Sequence, residues 1–289
     1  MAGISRTTNY AKDAPMIEHI DLSAKKPQSI AEGTVTTALG EAEGTRVNVS
    51  VYELEPSKTL NVSPVGRTQV VYVLDGEGVE ISHTSGSETT SHAAPRRSGI
   101  YLEPGEQATI KASDSAVKLL DVSVPKYDAK KGKPSPKGYF FEEAKLQSLV
   151  DEKAIRERTF WVNTETGLSD SWDLQLGRMY YAPEGYSPRH VHNRSETGNV
   201  DPEHFYFVEK GTGRVEHDDG EFAVGPGSLV LFPAGEWHQF LASESGLDYI
   251  EFQGPYDFAT TMDHDPQGKN WYIKGSEDES GKRKLWVQS

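Results

Sequence analysis

The sequence predicts an all-β protein built from two barrels. Short β-prone runs recur along the chain between Gly, Pro, Asp and Asn residues, among them Gln69–Leu74, Phe205–Val208 and Ser228–Phe232. Frequent short strands separated by turn residues are typical of sandwiches and barrels rather than of alternating βαβ units. An internal repeat indicates that one barrel module occurs twice.

Two pairs of segments carry the repeat. Residues 70–80 (VVYVLDGEGVE) parallel residues 205–215 (FYFVEKGTGRV), and residues 99–106 (GIYLEPGE) parallel residues 227–236 (GSLVLFPAGE) with small gaps. Between the copies, the beginning of residues 125–157 has the Lys- and Pro-rich composition of a linker, and residues 142–157 predict a short helix from their Ala, Leu, Glu and Lys content.

These observations predict four regions. An N-terminal barrel spans residues 1–124, a linker with a short helix spans 125–157, and a C-terminal barrel spans 158–258. The remaining tail, residues 259–289, contains Trp271, Tyr272 and Trp286. Because it is long and aromatic, we expect it to pack on a barrel or at a subunit interface of a homo-oligomer.

Composition excludes several classes of function. No apolar run among the 289 residues approaches the roughly 18 that a membrane helix needs, and the N-terminus lacks the apolar stretch of a secretory signal, so we expect a cytoplasmic protein without a membrane partner. The net charge of −14 disfavours nucleic acid as a partner. The absence of cysteine leaves only nitrogen and oxygen ligands for any metal.

The second half of the chain contains two ordered motifs. The first comprises Gly185, His190-Val191-His192, His204 and Gly211, and the second comprises Gly227, Pro233, Gly235 and His238. These residues resemble the two motifs of the cupin superfamily, and the repeat resembles its bicupin branch. The resemblance implies two jelly-roll (double-stranded β-helix) barrels, with the ligands of one metal ion per chain at the histidine positions of the second barrel.

The first motif departs from the family pattern. Eleven residues, Asn193 to Glu203, follow His192 where the family has three or four, and His204 stands where the family has glutamate. In another register Glu196 supplies the carboxylate ligand. We favour His204 because it keeps its spacing to Gly211 and begins an alternating strand with Tyr206 and Val208.

The predicted ligands are therefore His190, His192, His204 and His238. Side chains at positions i and i+2 of a strand share a face, so His190 and His192 can bind one ion together. Four neutral imidazoles leave the charge of a divalent ion uncompensated, which favours an anionic small-molecule substrate. Nitrogen ligands suit Fe(II), the favoured ion, and also Ni(II), Cu(II), Zn(II) or Mn(II).

Three further residues are candidates for catalysis. Tyr206 lies two residues from His204 on the same strand face, and Glu196 and Glu203 lie in the inserted loop, where either could serve as a base or orient a ligand. The first barrel has Gln69 and Ala108 at the corresponding ligand positions, so we expect no metal there.

Among metal-dependent activities, the resemblance favours a non-haem Fe(II) dioxygenase acting on a small chelating substrate with enolisable or vicinal oxygen atoms. The alternatives are a redox-neutral isomerase, lyase or decarboxylase and a non-catalytic binding protein.

Overall fold

The computed structural model describes residues 17–40, 44–127, 137–162, 171, 173–196, 200–255, 258–263 and 270–286. Apart from two short 3-10 turns, Leu22–Ala24 and Glu143–Lys145, the regular structure of this part of the chain is β. The strands are β1 (Glu18–Asp21), β2 (Gln28–Ile30), β3 (Gly33–Leu39), β4 (Asn48–Leu54), β5 (Thr59–Val62), β6 (Arg67–Asp75), β7 (Val79–Ser85), β8 (Glu88–Ala94), β9 (Ser98–Leu102), β10 (Gln107–Lys111), β11 (Val117–Pro125), β12 (Tyr139–Glu142), β13 (Ser148–Asp151), β14 (Arg156–Val162), β15 (Gln175–Tyr181), β16 (His190–Arg194), β17 (Glu203–His217), β18 (Gly220–Val224), β19 (Ser228–Pro233), β20 (His238–Gly254), β21 (Phe258–Met262), β22 (Trp271–Ile273) and β23 (Leu285–Trp286).

The first barrel is formed by two facing antiparallel sheets. One has the strand order β12-β9-β6-β11-β4-β3-β2 and the other the order β5-β10-β7-β8. Its interior is an apolar cluster that includes Val71, Ile81 and Ile110. Ala108, which the repeat aligns with the last histidine of the second motif, is packed in this cluster at 2% exposure.

The second barrel is formed by the remaining, twelve-stranded sheet, in which β20 pairs with β15, β16 and β17. The side chains of strand β17 contribute to two different cores, because alternate side chains of a strand point to opposite faces. Tyr206 and Val208 pack in the barrel interior, whereas Phe205 and Phe207 pack in a core shared with the first barrel.

The core between the barrels is large and apolar. The first barrel contributes Val70, Tyr72 and Val122, and the second contributes Trp161 and Phe252 among others. Trp161 is fully buried and stacks on Tyr72 with ring centroids 4.2 Å apart. Burial of a side chain this large contributes a few kcal/mol, so the two barrels stabilise each other.

Each barrel also receives an edge strand from the other side of the predicted boundary. Strand β1, near the N-terminus, pairs with β19 of the second barrel, and β12, which lies within the region predicted as linker, pairs with β9 of the first. The helix predicted for residues 142–157 is wrong: β12, a three-residue 3-10 turn, β13 and β14 occupy this region. Intrinsic helix propensity is a weak preference, and open sheet edges on both sides outweigh it.

The tail adds strands to the second barrel. Strand β22 pairs with β13 and with β23, and the guanidinium group of Arg156 lies 5.4 Å from the ring centroid of Trp271. Within the described residues, no helix is long and apolar enough to cross a membrane.

Candidate metal centre

Three of the four predicted histidines converge at one end of the second barrel. His190 and His192 lie on β16, and His238 begins β20 directly opposite His190. One ring nitrogen from each histidine lies within 4.8 Å of the other two. His192 and His238 are buried, and His190 is partly buried.

Hydrogen bonds on the far side of each ring determine which nitrogen faces the centre. His190 Nδ1 donates to the carbonyl oxygen of Pro188 at 2.8 Å, and His238 Nδ1 donates to that of Glu236 at 3.0 Å. A carbonyl oxygen only accepts, so the Nε2 atom of each neutral ring carries a lone pair. His192 Nδ1 lies 3.0 Å from the Thr260 hydroxyl. Partners of this kind orient metal-ligating imidazoles in general.

Burial keeps these imidazoles neutral. It lowers the pKa of His190 to about 4, and it lowers the pKa values of His192 and His238 well below the ordinary value, with further lowering from the neighbouring histidines. Neutral imidazole is the form that binds a metal. The Nε2 atom of His192 is buried without a hydrogen-bond partner. Buried polar atoms are rarely left unpaired, so this nitrogen is available to bind an ion. The residues therefore fit a metal ion.

His204 lies beside this group rather than in it, contrary to the four-histidine prediction. Its ring centroid is 4.1 Å from that of His192, but the ligand set found among the described residues does not include it. Both ring nitrogens have other partners: Nδ1 lies 3.1 Å from the Tyr206 hydroxyl, and Nε2 lies 2.9 Å from Glu251 Oε1. The Gln253 amide nitrogen lies 2.5 Å from the same Nε2 atom.

Tyr206 connects His204 to the three histidines. Its hydroxyl oxygen lies 3.1 Å from His204 Nδ1 and 3.1 Å from His238 Nε2, and the residue is 1% exposed. Burial and the nearby carboxylate of Glu251 raise its pKa well above the ordinary value, so the phenol is protonated. Of the three predicted catalytic residues, Tyr206 is the one that the structure places at the centre.

The two predicted catalytic glutamates lie elsewhere. The Glu203 carboxylate accepts hydrogen bonds from the backbone N–H groups of Arg46 and Val47, each at 3.1 Å, and from Arg46 Nε at 3.2 Å. It is therefore committed to the first barrel. Glu196 is exposed in the loop after β16 and is absent from the ligand set of the described residues.

Sequence reasoning missed Glu251. Burial would raise its pKa, but the hydrogen bond to His204 and the charge of Arg158 lower it to about 2. Its Oε2 atom lies 3.5 Å from Arg158 Nη2. A signal was present: the strand in which Ile250 and Phe252 face the shared core must direct Glu251 and Gln253 into the second barrel.

Aromatic rings line the remaining sides. Phe232 stacks on His238 with centroids 3.9 Å apart, and Phe258 lies edge-on to His192 at 5.2 Å. Phe240 packs on Tyr206 at 4.4 Å. These rings restrict access of water to the histidines and strengthen electrostatic interactions there.

Comparisons with known proteins agree with this architecture. Residues 177–248, which lie in the second barrel, match the family model described as Cupin domain. The whole chain shares the two-barrel cupin fold with solved structures. The prediction of an all-β bicupin fold is thereby confirmed. A search of curated protein sequences gave no significant match.

Several solved structures share the fold at low sequence identity. YlbA from Escherichia coli is 14% identical with a TM-score of 0.64, and the match covers 84% of this chain and 94% of that one. The Lactobacillus farciminis oxalate decarboxylase formate complex is 11% identical with a TM-score of 0.67, covering 84% and 88%. Bacillus subtilis oxalate decarboxylase, studied for its Mn(II) centres, is 11% identical with a TM-score of 0.66, covering 89% and 81%.

Proposed function

We propose that this chain is a metal-dependent enzyme in which His190, His192 and His238 hold one divalent transition-metal ion. The observation that carries the proposal is the convergence of three imidazole nitrogens within 4.8 Å, with every Nδ1 atom engaged on the far side of its ring. Pre-oriented rings of this kind avoid most of the entropy cost of assembling a ligand set.

The proposed substrate is a small anion that chelates the ion. Three neutral ligands, His190, His192 and His238, would leave the charge of a divalent ion uncompensated. An ion held by these residues would bind a chelating substrate with enolisable or vicinal oxygen atoms and, if redox-active, would support dioxygen chemistry. We therefore propose a non-haem Fe(II) dioxygenase as the first candidate activity.

A bound ion would supply Lewis-acid activation and, when redox-active, a route to dioxygen chemistry. The chain itself would supply the other functions. Phe232 and Phe258 would limit the access of water, and the Tyr206 hydroxyl, 3.1 Å from His238 Nε2, could form a hydrogen bond with a substrate oxygen atom. The three histidines would remain unprotonated and so available as ligands.

A second candidate is a redox-neutral decarboxylase, lyase or isomerase. The observation that favours it is the row of hydrogen-bonded groups beside the histidines, Glu251, His204 and Tyr206, because enolate chemistry requires groups that hold and transfer protons. The structural similarity to oxalate decarboxylases, one of them studied for its Mn(II) centres, adds Mn(II) to the ions to be tested first.

The test begins with metal content. We expect the purified protein, stripped and reloaded separately with Fe(II), Mn(II) and Zn(II), to bind one ion per chain. Each form is then supplied with a panel of diketones, catechols and hydroxy acids, and oxygen consumption and product formation are measured in air and without oxygen. Turnover that needs Fe(II) and oxygen supports the dioxygenase, whereas anaerobic turnover with Mn(II) or Zn(II) supports the second candidate. Metal binding without any turnover would favour a non-catalytic binding protein.

A further inference from the structure

We infer, resting on the proposed metal site, that Glu251 acts through His204 to make Tyr206 a hydrogen-bond acceptor toward a bound ligand. The site then selects chelating anions that carry a hydrogen-bond donor, such as 2-hydroxy acids, over the matching 2-oxo acids. Glu251 and His204 are positioning residues in this scheme, and the Tyr206 oxygen is the group that contacts the ligand.

The first step is the position of the proton on His204. In the register of β17 and β20, His204 lies opposite Gln253 and Tyr206 lies opposite Glu251, so these four side chains share the barrel interior. Glu251 Oε1 lies 2.9 Å from His204 Nε2, and Arg158 lies 3.5 Å from the other carboxylate oxygen. A carboxylate ionised beside an arginine only accepts, so the proton must reside on Nε2.

The Gln253 amide is compatible with the same arrangement. Its nitrogen lies 2.5 Å from His204 Nε2, while its oxygen is buried without a hydrogen-bond partner. The two atoms of a side-chain amide exchange places by a half-turn of the group, and their assignment follows from the surrounding hydrogen bonds. With the oxygen facing Nε2–H, the unpaired oxygen gains a donor, in exchange for the hydrogen bond that the amide nitrogen donates to Glu251 Oε1 at 3.2 Å. The ionised Glu251 carboxylate is then the group that holds the proton on Nε2.

The second step is the direction of the Tyr206 hydroxyl. A neutral imidazole with its proton on Nε2 has a lone pair on Nδ1, and Tyr206 lies 3.1 Å from that atom. The hydroxyl therefore donates to His204. The alternative, donation to His238 Nε2 at 3.1 Å, would occupy a ligand atom of the metal site. Donation to His204 leaves all three ligand nitrogens available to the ion.

The consequence is a preference among ligands. A hydroxyl whose single proton is used within the protein can only accept from a ligand nearby. A 2-hydroxy acid presents an O–H group to it, whereas a 2-oxo acid of the same size presents a second acceptor. A bound 2-oxo acid would leave the buried Tyr206 oxygen without a donor, which is unfavourable. The site should therefore bind the 2-hydroxy acid more tightly than the 2-oxo acid.

The first experiment observes the tautomer directly. The full-length protein is labelled with 15N-histidine, loaded with Zn(II), and studied by long-range 1H–15N correlation NMR, with the His204 signals assigned by their loss in His204→Gln. We expect a protonated Nε2 and an unprotonated Nδ1 in the wild type. We expect Glu251→Gln to increase the fraction with a protonated Nδ1, because an amide can donate as well as accept. A protonated Nδ1 in the wild-type protein overturns the proposal.

The second experiment measures selectivity. Dissociation constants of lactate and pyruvate are measured on the Zn(II)-loaded protein by calorimetry. We expect the wild type to bind lactate more tightly, and Tyr206→Phe, which keeps the ring packing, to reduce the ratio about tenfold, the value of one hydrogen bond. Glu251→Gln should reduce it in part, and the exposed control Glu221→Gln should leave it unchanged. A ratio unaffected by both test variants contradicts the selection by Tyr206.

The outcomes separate this inference from the proposed function. If Zn(II) does not bind, the metal site fails, while the tautomer can still be read in the metal-free protein. If Zn(II) binds at one ion per chain and His204 is protonated on Nδ1, the metal site stands and the role of Glu251 is refuted.

Discussion

Replacement of Glu203 by alanine tests whether this residue is catalytic or structural. Its position in the sequence predicts a base, because it immediately precedes His204 and lies close to the ligand motif. In the structure its carboxylate instead accepts hydrogen bonds from three donor groups in the loop before β4 of the first barrel. The Glu203→Ala variant removes all three acceptor contacts at once and leaves the histidine positions unchanged.

The expected loss of stability follows from the two backbone donors. Val47 is fully buried, and a buried N–H group left without an acceptor costs about 1–3 kcal/mol. The side chain of Arg46 is 36% exposed, so water can replace its lost partner and it contributes about 1 kcal/mol or less. We therefore expect Glu203→Ala to lower the free energy of unfolding by about 3 kcal/mol. Glu203→Gln retains one acceptor oxygen and should lose about half as much.

The assay is equilibrium urea unfolding at neutral pH followed by tryptophan fluorescence, with metal content determined on the same samples. Trp161, one of the five tryptophans that contribute to the signal, lies in the core between the barrels. Glu216→Gln, at a half-buried position of β17 where the side chain pairs with exposed Arg214, serves as the matched control, with an expected change within about 1 kcal/mol. The structural assignment is refuted if Glu203→Ala keeps the stability of the wild type but loses turnover by orders of magnitude.

Three further predictions concern single residues. His192→Ala should abolish binding of the ion, measured by elemental analysis, whereas His83→Ala in the first barrel should leave occupancy near the wild-type value. His204→Gln should retain the ion, since His204 lies outside the three-histidine set; loss of the ion would restore the four-histidine prediction. Burial raises the pKa of Asp121 to about 6 from 3.8. The free energy of unfolding should therefore fall as the pH rises from about 4 to about 6, because the unfolded chain releases this proton more readily than the folded protein does. Asp121→Asn should therefore stabilise the protein by up to about 3 kcal/mol above pH 6 and have little effect near pH 4, which chemical denaturation at both pH values would establish.

The features predicted well from sequence are those in which local pattern and global packing agree. Alternation along β17 placed Tyr206 inside the second barrel, and the histidine spacing brought His190, His192 and His238 together. Both are consequences of strand geometry, in which neighbours two residues apart share a face.

The features predicted poorly depend on contacts between distant segments. Nothing in the run Glu18–Asp21 specifies β19 as its partner, and the composition of residues 142–157 favours a helix that the available sheet edges override. His204 was assigned as a ligand from its motif position. Its hydrogen-bond partner, Glu251, lies on another strand, and this contact can be predicted only when the register of β17 and β20 is known.

The exchanged edge strands affect how the chain can fold during synthesis. The segment that forms β1 emerges from the ribosome early, yet its partner β19 is made roughly 200 residues later, and closing so long a loop is slow. In the first barrel, the edge of β9 likewise stays uncovered until β12 has been synthesised. Exposed strand edges promote aggregation, so an interrupted or truncated chain would be prone to misassociation. Cutting the chain between the two barrels at the linker would thus yield two fragments that each lack a strand, and they should be soluble only when co-expressed.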